Sequence, residues 1–448
     1  MTSLLARSGW GIFLVLLLTS LSLASEEVGV AVAPFQNLTG QNKAAWIGAG
    51  FAESLTGDLK RVPGLRVIER SQLKAVLEEL KIKLLTARDE DETSRVGKLA
   101  GVDLVVVGSY QVAKDRIKVD ARVVEVGSAK VLRSYRKEGK TAEIFSLQDS
   151  LAEDLAAGFG FTPPAQVKSL IETPQTKSMT AYEMYVKGRE SYLLSTQEGY
   201  RKAERAFRSA LDLDEKYALA WAGLGQVYAA VGYFLEQRGK EAKSYYEKSR
   251  DYCEKALSLD PILYEAHRAL AHAYLQLGEI KEAAAAAQEA LKLNPGGAES
   301  WEILAHANPK GDPAWIKEKL DKAISLDPYL FSARLSLGNL YVEQGKYGEA
   351  LEEYKKVISL DPDLFEAYNN LGVALKKMEK WGEAADAFEK AKALDTSSPA
   401  VHKNLGMVLI QMDKVAEGRK EIEESLRLDP NQADAEEMKS LLLKIKEE

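Results

Sequence analysis

At 448 residues the chain has room for two or three domains, and a hydrophobic content of 46% is that of a globular protein, which excludes wholesale disorder. A net charge of −7 argues against a nucleic-acid-binding protein, which would carry a basic domain or stripe. The single cysteine, Cys253, excludes an internal disulfide, and its neighbours Tyr252 and Ala256 predict that it is buried.

The first 24 residues read as a secretory signal peptide: one basic residue, Arg7, then an apolar run from Gly11 to Leu18, then the small residues Ser22 and Ala24 before a cleavage site. An uncleaved anchor is the alternative, although the apolar part is short for a bilayer span. No cysteine follows the run, so a lipid anchor at the new N-terminus is not expected. Residues 25–160 then alternate strand and helix. VGVAVAPF is a strand ended by Pro34, with Asn37 shaping the turn, and KAAWIGAGFAESLTGDLKRV is an amphipathic helix. LRVIER is a second strand, and SQLKAVLEEL is a helix expected to be capped by Ser71. After the acidic stretch RDEDET come a short helix, three strands in succession (DLVVVGSYQV, RIKVDARVVEV, KVLRSYRKEG) and a last helix from about Glu143 to Gly158. Residues 161–178, rich in Pro, Thr and Ser, read as a linker.

Beyond Met179 a repeat takes over. Leu-Asp-Pro or a variant recurs at Asp260, Asn294, Asp327, Asp361, Asp395 and Asp429, at intervals of 34, 33, 34, 34 and 34 residues. An earlier copy ends at Asp214, 46 residues before Asp260, so repeat two carries an insertion, placed in YFLEQRGKEAKSYY. Leu337, Gly338, Tyr341, Ala350 and Tyr354, then Tyr368, Leu371, Gly372, Ala384, Phe388 and Ala391, fill the packing positions of successive helix pairs. On these residues the half from 179 to 430 resembles the tetratricopeptide repeat family, with about seven repeats, and residues 431–448 form a capping helix. Asn308-Pro309 and Asp312-Pro313 should shorten helix A of the fourth repeat, and Gly418 and Ser425 should loosen the last one.

Catalytic motifs are weak. Gly48 and Gly50 lie inside a helix, too far from the strand for a dinucleotide turn, and no phosphate-binding GxxxxGK[ST] run occurs. All four histidines lie in the repeats; His267 and His402 are at packing positions, while His272 and His306 are at positions that face the concave groove in this repeat family. By the same register the candidate peptide groove is Arg268, His272, Glu302, His306, Asn339, Asn369, Lys376 and Lys403. Asn339 and Asn370 match two positions of a carboxylate clamp, but Ala400 and Asn404 stand where its cations belong, so no clamp is expected. No cofactor, metal site or catalytic residue is expected.

VAVAPFQNLTG, AGFAESLTGDLKRVPGLRVIERSQLKAVLEE and LAGVDLVVVGSYQVAKDRIKVDARVVEVGSAKVL resemble the TolB amino-terminal-like and CsgG-like domains of bacterial cell-envelope proteins. The resemblance covers nearly all of residues 28–160 and implies a mixed sheet, giving an α/β domain followed by an all-α superhelix. It also makes the sequon Asn37-Leu38-Thr39 incidental. The membrane-spanning hairpins and lipid anchor of the CsgG-like proteins have no counterpart here. The expectation is an exported, periplasmic or outer-membrane-associated adaptor with protein or peptide partners, no nucleic acid and no stable membrane span after signal cleavage. Assembly into a homo-oligomer through the α/β domain stays open. Two alternatives also remain: a structural part of an envelope secretion or assembly complex, and an α/β domain with small-ligand or enzymatic activity resting on Glu53, Asp58 and Glu69.

Overall fold

The computed structural model describes residues 27–40, 44–79, 90–161, 175–236, 240–308 and 311–447. The signal segment, most of the linker and part of the acidic stretch lie outside them. Strand β1 (Val28–Val32) is buried from Gly29 onward, as a central strand covered on both faces must be. Around it β3 (Leu65–Val67), β4 (Leu104–Ala113), β5 (Arg116–Glu125) and β6 (Lys130–Lys140) form a sheet in the order β3-β1-β4-β5-β6, with β2 (Gln36–Asn37) beside β4. Pairings on β1 and β2 are parallel, and the β4-β5-β6 meander is antiparallel. Asn37 Oδ1 accepts the Thr39 N–H at 2.9 Å, and Thr39 Oγ1 accepts that of Val112, so the sequon residues build the turn.

Helices α1 (Trp46–Lys60) and α4 (Ile144–Gly158) cover one face of the sheet; α2 (Arg70–Glu79) and α3 (Glu90–Leu99) cover the other. Ser71 is not a cap. Helix α2 begins one residue earlier, at Arg70, whose side chain is anchored elsewhere, and α3 absorbs the end of the acidic stretch.

Seven helix pairs follow: α5 (Met179–Tyr192) with α6 (Gln197–Leu213), α7 (Ala218–Glu236) with α8 (Lys243–Leu259), α9 (Tyr264–Gln276) with α10 (Ile280–Leu293), α11 (Ala298–His306) with α12 (Pro313–Leu326), α13 (Phe331–Glu343) with α14 (Tyr347–Leu360), α15 (Phe365–Lys377) with α16 (Trp381–Leu394), and α17 (Pro399–Gln411) with α18 (Val415–Leu428). Helix α19 (Ala435–Glu447) caps the array. Gly338 shows why the repeat needs a small residue there: a Cβ would lie 2.3 Å from the Tyr354 ring. Helix α11 is short at 9 residues, and Asp312 caps α12 through the Ala314 N–H. Helix α7 is long and apolar enough to cross a membrane by length and composition alone, but here it is a packed repeat helix.

The last repeat does not pack loosely. A Cβ on Gly418 would lie 2.7 Å from the Gly406 carbonyl oxygen, and Ser425, fully buried, donates to Pro399 O at 2.8 Å. The small residues bring α17 and α18 together rather than leaving space between them.

The two halves are not separated bodies. Buried Trp46, Phe51 and Leu55 of α1 share one apolar core with Tyr182, Tyr185 and Val186 of α5 and with Phe207 and Tyr217. Tyr182 OH donates to Gly50 O at 2.7 Å and accepts from Gln148 Nε2 at 2.9 Å. The α/β domain also lies along the turns between repeats. Arg61 reaches Asp260 (3.7 Å), the Arg66 stem lies against Gly296, Gln72 Nε2 donates to Leu326 O (2.9 Å), and Tyr329 packs on the α2–α3 core.

Candidate functional site

Thirty-four residues bring a repeat back to the same position, so the A helices stack their inward residues in columns. One column runs Arg268, Glu302, Ser336, Asn370; another runs Ser332, Glu366, Ala400; a third runs Asn369, Lys403. All of these line a single cavity of about 1040 Å³ along the concave side of the superhelix. Seven of the eight expected groove residues are on its wall: Arg268, His272, Glu302, His306, Asn339, Asn369 and Lys403. Lys376, near the end of α15, is not among the lining residues; its Nζ donates to Asn404 Oδ1 at 2.9 Å.

The wall mixes polar groups with aromatic and aliphatic side chains, and its charges are partly pre-paired. Arg268 meets Glu299, and Lys403 meets Asp434 at 2.8 Å. Burial, then the Arg268 charge, pushes the His272 imidazole down to about 4, so it is neutral at ordinary pH. Burial lowers His306 as well; its Nε2 lies 2.9 Å from Ser336 Oγ. Glu302 accepts from Ser332 Oγ at 2.9 Å, and burial pushes its carboxyl up to about 7. Farther along, Asn404 donates to Asn369, Asn369 to Asn370 and Asn370 to Asn339, an amide chain joining three A helices.

The remaining histidines serve the frame: His267 Nε2 lies 2.9 Å from Pro261 O, and buried His402 bridges Glu421 and Thr396 O. Cys253 is fully buried, and burial pushes its thiol up to about 12.

The carboxylates singled out in the α/β domain do not converge on a cleft. Glu53 lies between two guanidiniums, accepting from Arg70 Nη1 (2.9 Å) and Arg189 Nε (2.7 Å), with the Tyr185 hydroxyl at 3.2 Å. Burial alone would raise its pKa; the charges of Arg189 and Arg70 overrule it and hold the carboxyl at about 2. Glu69 and Glu265 share the Lys60 ammonium at 2.7 and 3.1 Å, and both partners hold that buried lysine well above its ordinary value against the pull of burial. Asp58 is raised to about 7 by burial and accepts from Ser54. Two of the three are thus ion-pair partners at the seam between the halves. Among the described residues no group of three or more His, Cys, Asp and Glu side chains is placed to hold a metal ion.

The family described as "Curli production assembly/transport component CsgG" matches residues 15–112. Tetratricopeptide repeat families match residues 264–296, 338–379 and 365–398. The chain joins a CsgG-type domain to tetratricopeptide repeats. A curated protein of Rhizobium meliloti (strain 1021), "Putative adenylate cyclase 3", is 23% identical over 254 residues, 57% of this chain and 41% of that one. The chain therefore spans about two fifths of the length of the curated relative it matches. Among solved structures, the Cut9–Hcn1 hetero-tetramer of the APC/C is similar at 16% identity over 68% of this chain and 63% of that one, with a TM-score of 0.46. A tetratricopeptide repeat protein from Parabacteroides merdae matches at 18%, covering 60% and 100%, with a TM-score of 0.41. MamA from Desulfovibrio magneticus RS-1 matches at 23%, covering 38% and 97%, with a TM-score of 0.33. Tetratricopeptide arrays are protein-interaction scaffolds, and the repeats of this chain place it in that class.

Proposed function

We propose that this CsgG-type repeat protein is an exported cell-envelope adaptor that holds a segment of a partner protein in the concave groove of its repeats. The observation that carries the reading is the continuous cavity lined by A-helix residues from repeat one to the capping turn. Its long wall of amides, carboxylates, aromatic rings and aliphatic side chains suits an extended or helical peptide better than a small apolar ligand. The α/β domain is the second half of the adaptor. Its α1 face is spent on the repeats, and the β5–β6 side of the sheet is left for another partner or for a second copy.

The test is site-specific photocrosslinking of the full chain in its native envelope. A crosslinker in place of Ser336 or Asn369 is expected to capture one discrete partner, and the same group at the exposed convex position Glu352 is not. Equal capture at all three positions, or none in the groove, overturns the reading, and recovery of the chain from the cytosol alone overturns its envelope part.

The match to the CsgG family favours a second reading, a structural component of a secretion or assembly complex. That reading requires rings or other closed oligomers, and mass photometry finding only monomers rules it out.

A further inference from the structure

Strands β5 and β6 end the sheet on one side, and their charge departs from that of the chain. The whole carries −7, yet residues 113–140 hold nine lysines and arginines against four acids. On the face turned away from α4 the two strands present four cross-strand rows: Arg116 with Lys140, Lys118 with Glu138, Asp120 with Arg136, and Arg122 with Ser134. The α2–α3 core on that face stops at Val105, Val107 and Val124 and includes none of these rows. Arg116, Ser134, Arg136, Glu138 and Lys140 are exposed; Lys118, Asp120 and Arg122 are half-buried.

The middle rows neutralise themselves. Arg136 Nε donates to Asp120 at 2.6 Å, and Lys118 Nζ lies 4.0 Å from Glu138. The outer rows do not. Arg116 and Lys140 are like charges directly opposite each other, which costs a sheet stability, and neither has a carboxylate partner among the described residues. Arg122, at the far end, has none either. Six residues of β5 separate Arg116 from Arg122, roughly 20 Å at about 3.4 Å per residue. Charged side chains on an edge strand keep sheets from pairing, but that role belongs to β6. It does not account for Arg116 and Arg122, because β5 has a strand on each side.

We infer that this face docks an acidic segment of a partner protein, with carboxylates seated at the Arg116–Lys140 pair and at Arg122. A carboxylate between Arg116 and Lys140 replaces a repulsion by two charge-assisted contacts. The middle rows select a protein over other polyanions. Asp120 and Glu138, 38% and 51% exposed, repel the evenly spaced phosphates of a nucleic acid or a lipid surface, whereas a peptide can carry its acids at the two ends alone. A second copy presenting the same face meets like charge. The inference rests on the adaptor reading, assigns a kind of partner to its α/β half, and takes nothing from the groove.

Fluorescence anisotropy of the full chain tests it with labelled peptides of equal length, carrying glutamate, glutamine or lysine at two positions six residues apart. The glutamate peptide is expected to bind best and to weaken several-fold as salt is raised to several hundred millimolar. Lys140→Glu is expected to weaken it about ten-fold while raising the urea midpoint, since it turns the opposed cations into an ion pair; a folding defect cannot produce both. Arg122→Gln is expected to weaken it about three-fold. A control on the repeats, Lys202→Gln with Lys355→Gln, is expected to change it little. Equal binding of the glutamine peptide, or an equal loss in the control, overturns the inference. So does tighter binding of anionic lipid vesicles or duplex DNA that Lys140→Glu abolishes. A photocrosslinker in place of Ser134, in the native envelope, separates this inference from the adaptor reading. A partner captured there through a segment without acidic residues overturns the inference and leaves the adaptor reading standing; capture neither there nor in the groove overturns both.

Discussion

Replacing Glu53 by glutamine asks whether the α/β domain and the first repeats are one cooperative unit. Its carboxylate takes three hydrogen bonds from Arg70, Arg189 and Tyr185, and the three charged side chains are only 13%, 8% and 7% exposed for Glu53, Arg70 and Arg189. Glutamine keeps the shape and one acceptor oxygen but removes the charge, leaving two buried guanidiniums without the carboxylate that bridges them. Deleting one member of a buried ion pair costs about 3–5 kcal/mol. The titration of Glu53 leads to a similar figure, since its carboxyl is held from 4.5 down to about 2. At roughly 1.4 kcal/mol per pH unit, that is about 3 kcal/mol. The folded value lies below the unfolded one, so this stability is complete above the unfolded value and is lost as pH falls from there toward the folded value. Wild type and Glu53→Gln should therefore differ most near neutral pH and converge in acid. Native-state hydrogen exchange read by mass spectrometry is the assay. Peptides from α1 and from α5 should lose protection together in the variant. A change below about 1 kcal/mol, or α1 destabilised while α5 is untouched, refutes the shared-unit reasoning.

Three further outcomes follow from single sites. Gly418→Ala should cost about 1–3 kcal/mol because its Cβ meets the Gly406 backbone rather than a movable side chain, read from the denaturant midpoint of the C-terminal repeats. Asp58→Asn should stabilise the chain above pH 7 and not at acidic pH. The folded pKa of Asp58 is raised from 3.8 to about 7, so its ionisation penalises the fold as pH rises through that window; urea midpoints at both ends of the window check a gain of about 1–3 kcal/mol. Cys253, fully buried with its thiol pushed up to about 12, should resist alkylation in the native chain and react at the rate of unfolding.

The repeats were legible because a 34-residue period fixes the packing register, and the same period brings seven of the eight counted residues to one cavity wall. Tyr233 was missed because the insertion broke that count where it supplied a new wall residue. The docked seam was missed for another reason. Glu53, Glu69 and Arg70 look like the solvated charges of a domain surface, and the residues that complete their two ion-pair clusters, Arg189 and Glu265, are on the other half. A signal was present nonetheless: from Trp46 to Ala52 every residue of α1 is apolar and buried, leaving no wet face, as a helix covered from both sides requires. In the last repeat, Gly418 and Ser425 were read by side-chain size, and size alone does not reveal that backbones move in to fill the space.

Helical repeat arrays are elastic, since each unit touches only its neighbours and small rotations add up along the stack. Here the α/β domain is fastened across that stack, by Arg61 at Asp260, Arg66 at Gly296 and Gln72 at Leu326, after joining the first repeat through α1. It acts as a splint. These contacts run from the first repeat to the end of the fourth, and over that length they hold the pitch of the coil and with it the bore of the groove.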